Sequence, residues 1–162
     1  MIKSRFISAV AILGSLLLLS TRLIPQEQSI TKKDVPKAVL AAFEKFFPKA
    51  HLKGFSKEMD EGRTLFEIES VEGKVNRDVT YTADGTLVSV EETVPVSEFP
   101  NSVRTALAKD FPKARISKSE KITKGQTVQY EVVLAVGEKH FEVVYDSSGK
   151  VVEKEETKGG GD

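Results

Sequence analysis

Phe47-Pro48-Lys49-Ala50 returns as Phe111-Pro112-Lys113-Ala114, 64 residues further along, and the offset holds without a gap. Val35-Pro36 answers to Phe99-Pro100, Tyr81 to Tyr145, Gly85 to Gly149, and Glu91-Glu92-Thr93 to Glu155-Glu156-Thr157. Residues 35–93 and 99–157 agree at 18 of 59 aligned positions, enough to read the chain as a tandem repeat of one supersecondary unit. A unit of about 60 residues buries a modest core and is marginal alone, so the two copies are expected to pack side by side.

Each copy opens with a helical pattern. Val35, Val39, Ala42, Phe43 and Phe47 recur at intervals of three and four, as do Val103, Ala106, Leu107 and Phe111. Asp34 or Val35 is placed to cap the first helix, with Pro36 in its first turn, where a missing N–H costs nothing. Pro48 and Pro112 stop the helices. Alternating segments follow: a weak first strand (50–57, 116–122), then 65–71 and 129–136, then 75–82 with Phe141, Val143 and Tyr145, then 86–93 and 151–156. Gly73, Gly85, Gly137 and Gly149 mark the turns. The expectation is an α+β protein of two tandem repeats, each one helix packed on a four-stranded antiparallel meander, with repeat 1 at 34–94 and repeat 2 at 95–157. Two such units could join edge to edge or form separate lobes.

Phe99-Pro100, Phe111-Pro112-Lys113-Ala114, Tyr130-Glu131-Val132 and Asp146-Ser147-Ser148-Gly149-Lys150-Val151-Val152-Glu153 together resemble the PepSY-like family, which is related in fold to the β-lactamase-inhibitor protein. The first copy is looser, with Phe66-Glu67-Ile68 and Thr82-Ala83-Asp84-Gly85 in the corresponding places. The resemblance spans 35–157. It implies an exported protein that inhibits an enzyme or guards a peptidase; a shared fold does not by itself establish either.

Met1 to Arg5 is short and basic, and Phe6 to Leu19 is an apolar run of 14 residues. Residues 1–24 therefore read as a secretory signal or an uncleaved N-terminal anchor, and the run is short for a bilayer span. Residues 25–33 read as a flexible lead-in and 158–162 as a disordered tail. Without cysteine, disulfides and thiolate metal sites are excluded. From residue 23 onward there are 21 basic and 24 acidic side chains, a net charge of −3 that argues against nucleic acid as a partner.

No triad, phosphate loop or metal constellation stands out, so the chain reads as non-enzymatic and without a cofactor. Only His51 and His140 carry imidazole, and they are not repeat equivalents. Glu91-Glu92 and Glu155-Glu156 point to opposite strand faces and read as solubility at strand ends. Ser147 and Ser148 sit in a turn without a histidine. Asp84 and Asp146 beside turn glycines read as turn chemistry, since EF-hand spacing is absent. Leu40 and Phe46, aligned with Arg104 and Asp110, read as peripheral core or inter-repeat packing.

The feature with most functional content is the sheet face that no helix covers. In repeat 2 it should present Glu131, Val133, Ala135, His140, Glu142 and Val144, a mixture of apolar and charged groups suited to contact. In repeat 1 it should present Glu67, Glu69, Asp78 and Thr80. The expected partner is a protein or peptide of the cell envelope, bound by the repeat 2 face. A small-ligand or metal-ion binder, suggested by His140 with Glu142, and an anchored structural envelope protein are the other readings. Membrane contact would come only through the N-terminal segment.

Overall fold

The computed structural model describes residues 27–60 and 62–157; the N-terminal 1–24 and the 158–162 tail lie outside them. The fold is α+β, with two helices and one nine-stranded antiparallel sheet in the order β1 to β9, each strand beside its sequence neighbour. The strands are β1 (Gln28–Ser29), β2 (His51–Asp60), β3 (Arg63–Glu72), β4 (Val75–Thr82), β5 (Leu87–Thr93), β6 (Arg115–Lys124), β7 (Thr127–Val136), β8 (Lys139–Asp146) and β9 (Val151–Thr157). Helix α1 (Lys37–Phe46) precedes β2 and helix α2 (Asn101–Asp110) precedes β6. Among the described residues, no helix is long and apolar enough to cross a membrane.

From Gln28 onward the lead-in is structured, unlike the flexible segment expected: Gln28 and Ser29 pair with Lys57 and Ser56, and Thr31 and Asp34 close a capping box around a 3-10 turn at Lys32–Asp34. This extra strand covers part of the β2 edge. The join between copies, which the sequence left open, is edge to edge. β5 pairs directly with β6, Val90 opposite Thr123 through to Thr93 opposite Glu120, so the two halves share one sheet.

The duplicated Phe-Pro-Lys-Ala motif is the helix stop and the turn into the next strand. Phe47 N–H still reaches Phe43 O at 2.8 Å, and Phe111 N–H reaches Leu107 O at 2.9 Å. The proline then supplies the second position of a β-turn, closed by Ala50 N–H to Phe47 O and Ala114 N–H to Phe111 O, both 3.1 Å. At the other end of each helix, Pro36 and Pro100 stand just before the first turn rather than inside it.

Each helix buries its stripe on the sheet beside it, and the apolar core is divided accordingly. Val39 and Phe43 pack with Phe66, Ile68, Val79 and Tyr81; Val103 and Leu107 pack with Val132, Leu134, Val143 and Tyr145. Each fully buried side chain of this kind contributes about 1.5–3 kcal/mol. Beside these cores the copies use different polar locks. Arg77 lies 4.4 Å from the Phe47 ring centre and pairs with Glu92 at 2.9 Å and Glu72 at 3.5 Å. The position aligned with Arg77 is Phe141, which packs on Phe111 and is covered by Lys154.

The hydroxyls of Tyr81 and Tyr145 are buried beneath the helices and find no hydrogen-bond partner among the described residues, and burial pushes both up to about 12. Replacing either tyrosine by phenylalanine removes a desolvated group and no bond. Tyr81→Phe and Tyr145→Phe are therefore expected to leave stability unchanged or raise it by up to about 1 kcal/mol in urea denaturation.

Phe46 departs from its expected role. It is 59% exposed, while Leu40 is half-buried against the first core and lines a small hollow with Phe43, Phe47, Pro48 and Leu52.

Candidate functional site

The face opposite the helices is a trough. Four strand steps separate β2 from β6, which in a flat sheet places them about 19 Å apart. Here Lys53 of β2 and Lys118 and Glu120 of β6 line one hollow of about 570 Å³, together with Glu69, Asp78 and Thr93. The sheet must therefore curl toward this side. Register shifts fall at Lys53 and Ser117, and again at Val88 and Val152, each pair 64 residues apart. A bulge adds a residue to one strand and bends it locally. Small hydroxyls lie on one rung of this face: Ser56, Thr80 and Ser89 are buried and share it with Glu67.

The expected residues of this face do come together. Glu131 stands opposite Val144, Val133 opposite Glu142 and Ala135 opposite His140, while their neighbours Val132, Leu134, Val143 and Tyr145 point into the helix-covered core. Accessibility differs within the set. Glu142 is exposed and Glu131, Val133 and His140 are half-buried, whereas Ala135 and Val144 are buried by the curl. In the first half, Glu67 stands opposite Thr80 and Glu69 opposite Asp78.

Several trough residues fall outside that expectation. Glu91 lies opposite Asp78, extending a row of carboxylates Glu69–Asp78–Glu91 over three adjacent strands. The pair Glu91-Glu92 does straddle the sheet, yet neither member is ornamental: Glu91 enters the trough, and Glu92 holds Arg77 and Lys121. Glu155 is exposed, and Glu156 pairs with Lys139 at 3.1 Å. Glu120 is 2% exposed and pairs with Lys118 at 2.8 Å. The sequence signal for Glu67 and Glu131 was present, because they are one of the identities between the two copies.

Burial and mutual repulsion favour the protonated form of four of these acids. Desolvation, then the neighbouring Asp78, pushes Glu67 up to about 8. Desolvation, then Glu142, pushes Glu131 up to about 7. Asp78 and Glu91 are also raised, chiefly by burial and then by Glu120. Burial pulls the Lys118 ammonium down, but its hydrogen bond and charge attraction to Glu120 outweigh this and leave it raised.

The remaining candidates are dispersed. His51 is exposed on β2 and His140 is half-buried on β8. Among the described residues, no three His, Cys, Asp or Glu side chains converge as a metal site. Asp146 Oδ1 accepts from the Ser148 and Lys150 N–H groups at 2.8 and 3.1 Å, and Asp84 Oδ1 accepts from Thr86 N–H at 3.1 Å. Both are turn-forming carboxylates, held below the usual range first by the hydroxyls of Ser148 and Thr82 respectively. Ser147 Oγ donates to Val128 O at 3.1 Å, which ties the same turn to β7.

Two helices on one face of a curled antiparallel sheet, with the other face left open, place the protein among BLIP-like folds. The sequence matches the family described as "Putative beta-lactamase-inhibitor-like, PepSY-like" over residues 24–88 and 69–153, and the chain belongs to that family. No curated protein matches it in sequence. A protein from Bacteroides eggerthii described as "putative periplasmic" superposes with a TM-score of 0.67 at 16% identity, over 76% of this chain and 90% of its own. A BLIP-like protein from Bacteroides fragilis gives 0.61 at 16% identity, over 78% and 90%. A DUF2874-family protein from Bacteroides ovatus gives 0.61 at 14% identity, over 75% and 86%. At these identities the likeness is one of fold.

Proposed function

We propose that this is an exported, non-enzymatic protein-binding module that receives a protein or peptide of the cell envelope on its open sheet face, and so inhibits or regulates an envelope or secreted enzyme. The observation that carries this reading is the face itself. It is concave and no element of the described chain covers it. Val133 is the accessible apolar side chain there, above the buried Ala135 and Val144 and beside Glu131, His140 and Glu142. An apolar group inside a charged surround suits a recognition patch. Export is supported by the basic-then-apolar pattern of residues 1–19 and by the periplasmic description of the B. eggerthii relative.

Val133 is the best probe, because it is half-buried and can take a longer side chain without entering the core. Val133→Lys is expected to weaken capture of the envelope partner by the full chain at least tenfold, about 1.4 kcal/mol or more. The midpoint of thermal unfolding should stay near that of the unmodified protein. Undiminished capture by a folded Val133→Lys protein would place the contact elsewhere.

A further inference from the structure

The trough concentrates like charge on walls that only the curl brings together. Its acids are Glu58 on β2, Glu67 and Glu69 on β3, Asp78 on β4 and Glu91 on β5. Across the seam they are joined by Glu120 on β6, Glu131 on β7 and Glu142 on β8, and Glu27 acts on Glu58 and Glu67 from before β1. The opposing bases are few: Lys53 on β2 faces Asp78, Lys118 on β6 is held by Glu120, and Lys124 at the end of β6 faces Glu58 and Glu91. Like charges directly opposite on neighbouring strands are destabilising. The row Glu69–Asp78–Glu91 has that arrangement, and it ends at the seam between the two halves, which is paired over only four residue pairs.

We propose that the trough is a proton-controlled latch: protonated carboxyl groups let β2 stay curled toward β6, and their ionisation drives the walls apart and loosens the β5–β6 seam. In acid the face is closed and carries less charge; in mild alkali it is open and more negative. Two carboxyls of the trough are pushed into the neutral range, Glu131 up to about 7 and Glu67 up to about 8. This regulation concerns the face to which binding is assigned above. The opening itself is a property of the isolated protein, so a face that binds nothing leaves the test below intact.

Because the chain has no cysteine, a pair of introduced ones can be labelled selectively. Met59, the last residue but one of β2, is 57% exposed, and Gln126 lies exposed in the turn after β6. Glu58 and Lys124 face one another beside these positions. Spin labels on the full-length Met59→Cys/Gln126→Cys protein, measured by double electron–electron resonance, should report a narrow distance at pH 5.5. At pH 9 that distance should be broader and longer by about one strand spacing, ~5 Å. Adding Glu67→Gln with Glu131→Gln, or separately Asp78→Asn with Glu91→Gln, should keep the short distance at both pH values. A distance that does not change between pH 5.5 and 9 would overturn the proposal. So would a lengthening that persists in either neutralised background.

Discussion

Gly149→Ala is expected to lower the free energy of unfolding by about 3 kcal/mol, a fall of roughly 10 °C in Tm for a chain of this size. Two costs combine. Gly149 has φ +88°, a conformation that costs an L-residue about 1–2 kcal/mol. An added Cβ would also lie 2.6 Å from Ser102 O, in the first turn of α2, and backbone cannot yield there as a side-chain end could. Gly85→Ala meets the same obstacle in the other half, with Ala38 O at 2.7 Å. These glycines are where the strand turns press against the helices. Gly137→Ala is the control: it has φ +63° and nothing within 4 Å of the new atom, so only the backbone cost of about 1 kcal/mol should appear. Urea denaturation of the three variants tests this, and equal losses in all three would rule out the helix-contact explanation.

The second large effect is that stability should fall as pH rises from about 4.5 to about 8. The trough carboxyls have folded-state pKa values above their unfolded ones, so the folded protein binds more protons across that window. Below the unfolded value both states are protonated and the groups contribute no penalty; above the folded value the full cost of a buried charge is present. Asp34, Asp84 and Asp146 act in the opposite sense, adding stability above their unfolded pKa that is lost as pH falls through their lowered folded values. Maximum stability should therefore lie between about pH 4.5 and 6. Glu67→Gln isolates the largest contribution. Unscreened, the shift of Glu67 would correspond to about 5 kcal/mol, but the side chain is only half-buried, and screening reduces the expected gain to about 1–2 kcal/mol at pH 8.5. At pH 4.5 the variant should match the parent. Urea midpoints across pH 4–9 measure both, and a parent curve that rises toward pH 8 would contradict the buried-carboxyl description.

The order of elements was legible because the repeat stated it twice, and the side-chain period of two assigned Glu131, Val133, Ala135, His140, Glu142 and Val144 to one face. Curvature was not legible, because it is a property of bulges at Lys53, Ser117, Val88 and Val152 acting together, and none of these has a local sequence signature. Without the curl, Val144 and Ala135 looked like open contact residues. The same omission made Glu91 resemble a strand-end acid, when its cross-strand neighbour is Asp78. β2 and β6 were read short at their far ends because Glu58, Asp60, Thr123 and Lys124 carry no apolar alternation; their pairing comes from β3 and β7, which supply the ladder partners. The lead-in strand at Gln28–Ser29 is two polar residues whose order comes from the open edge of β2.

The most direct test of the open face as the working surface is site-specific photocrosslinking in the envelope of the source cell, using the full chain with the crosslinking residue at Val133, at Glu142, or at Ala108 on the exposed side of α2. The account predicts that one protein is joined from positions 133 and 142 and not from 108. Crosslinking of that protein from 108 alone, or equally from all three positions, would contradict it.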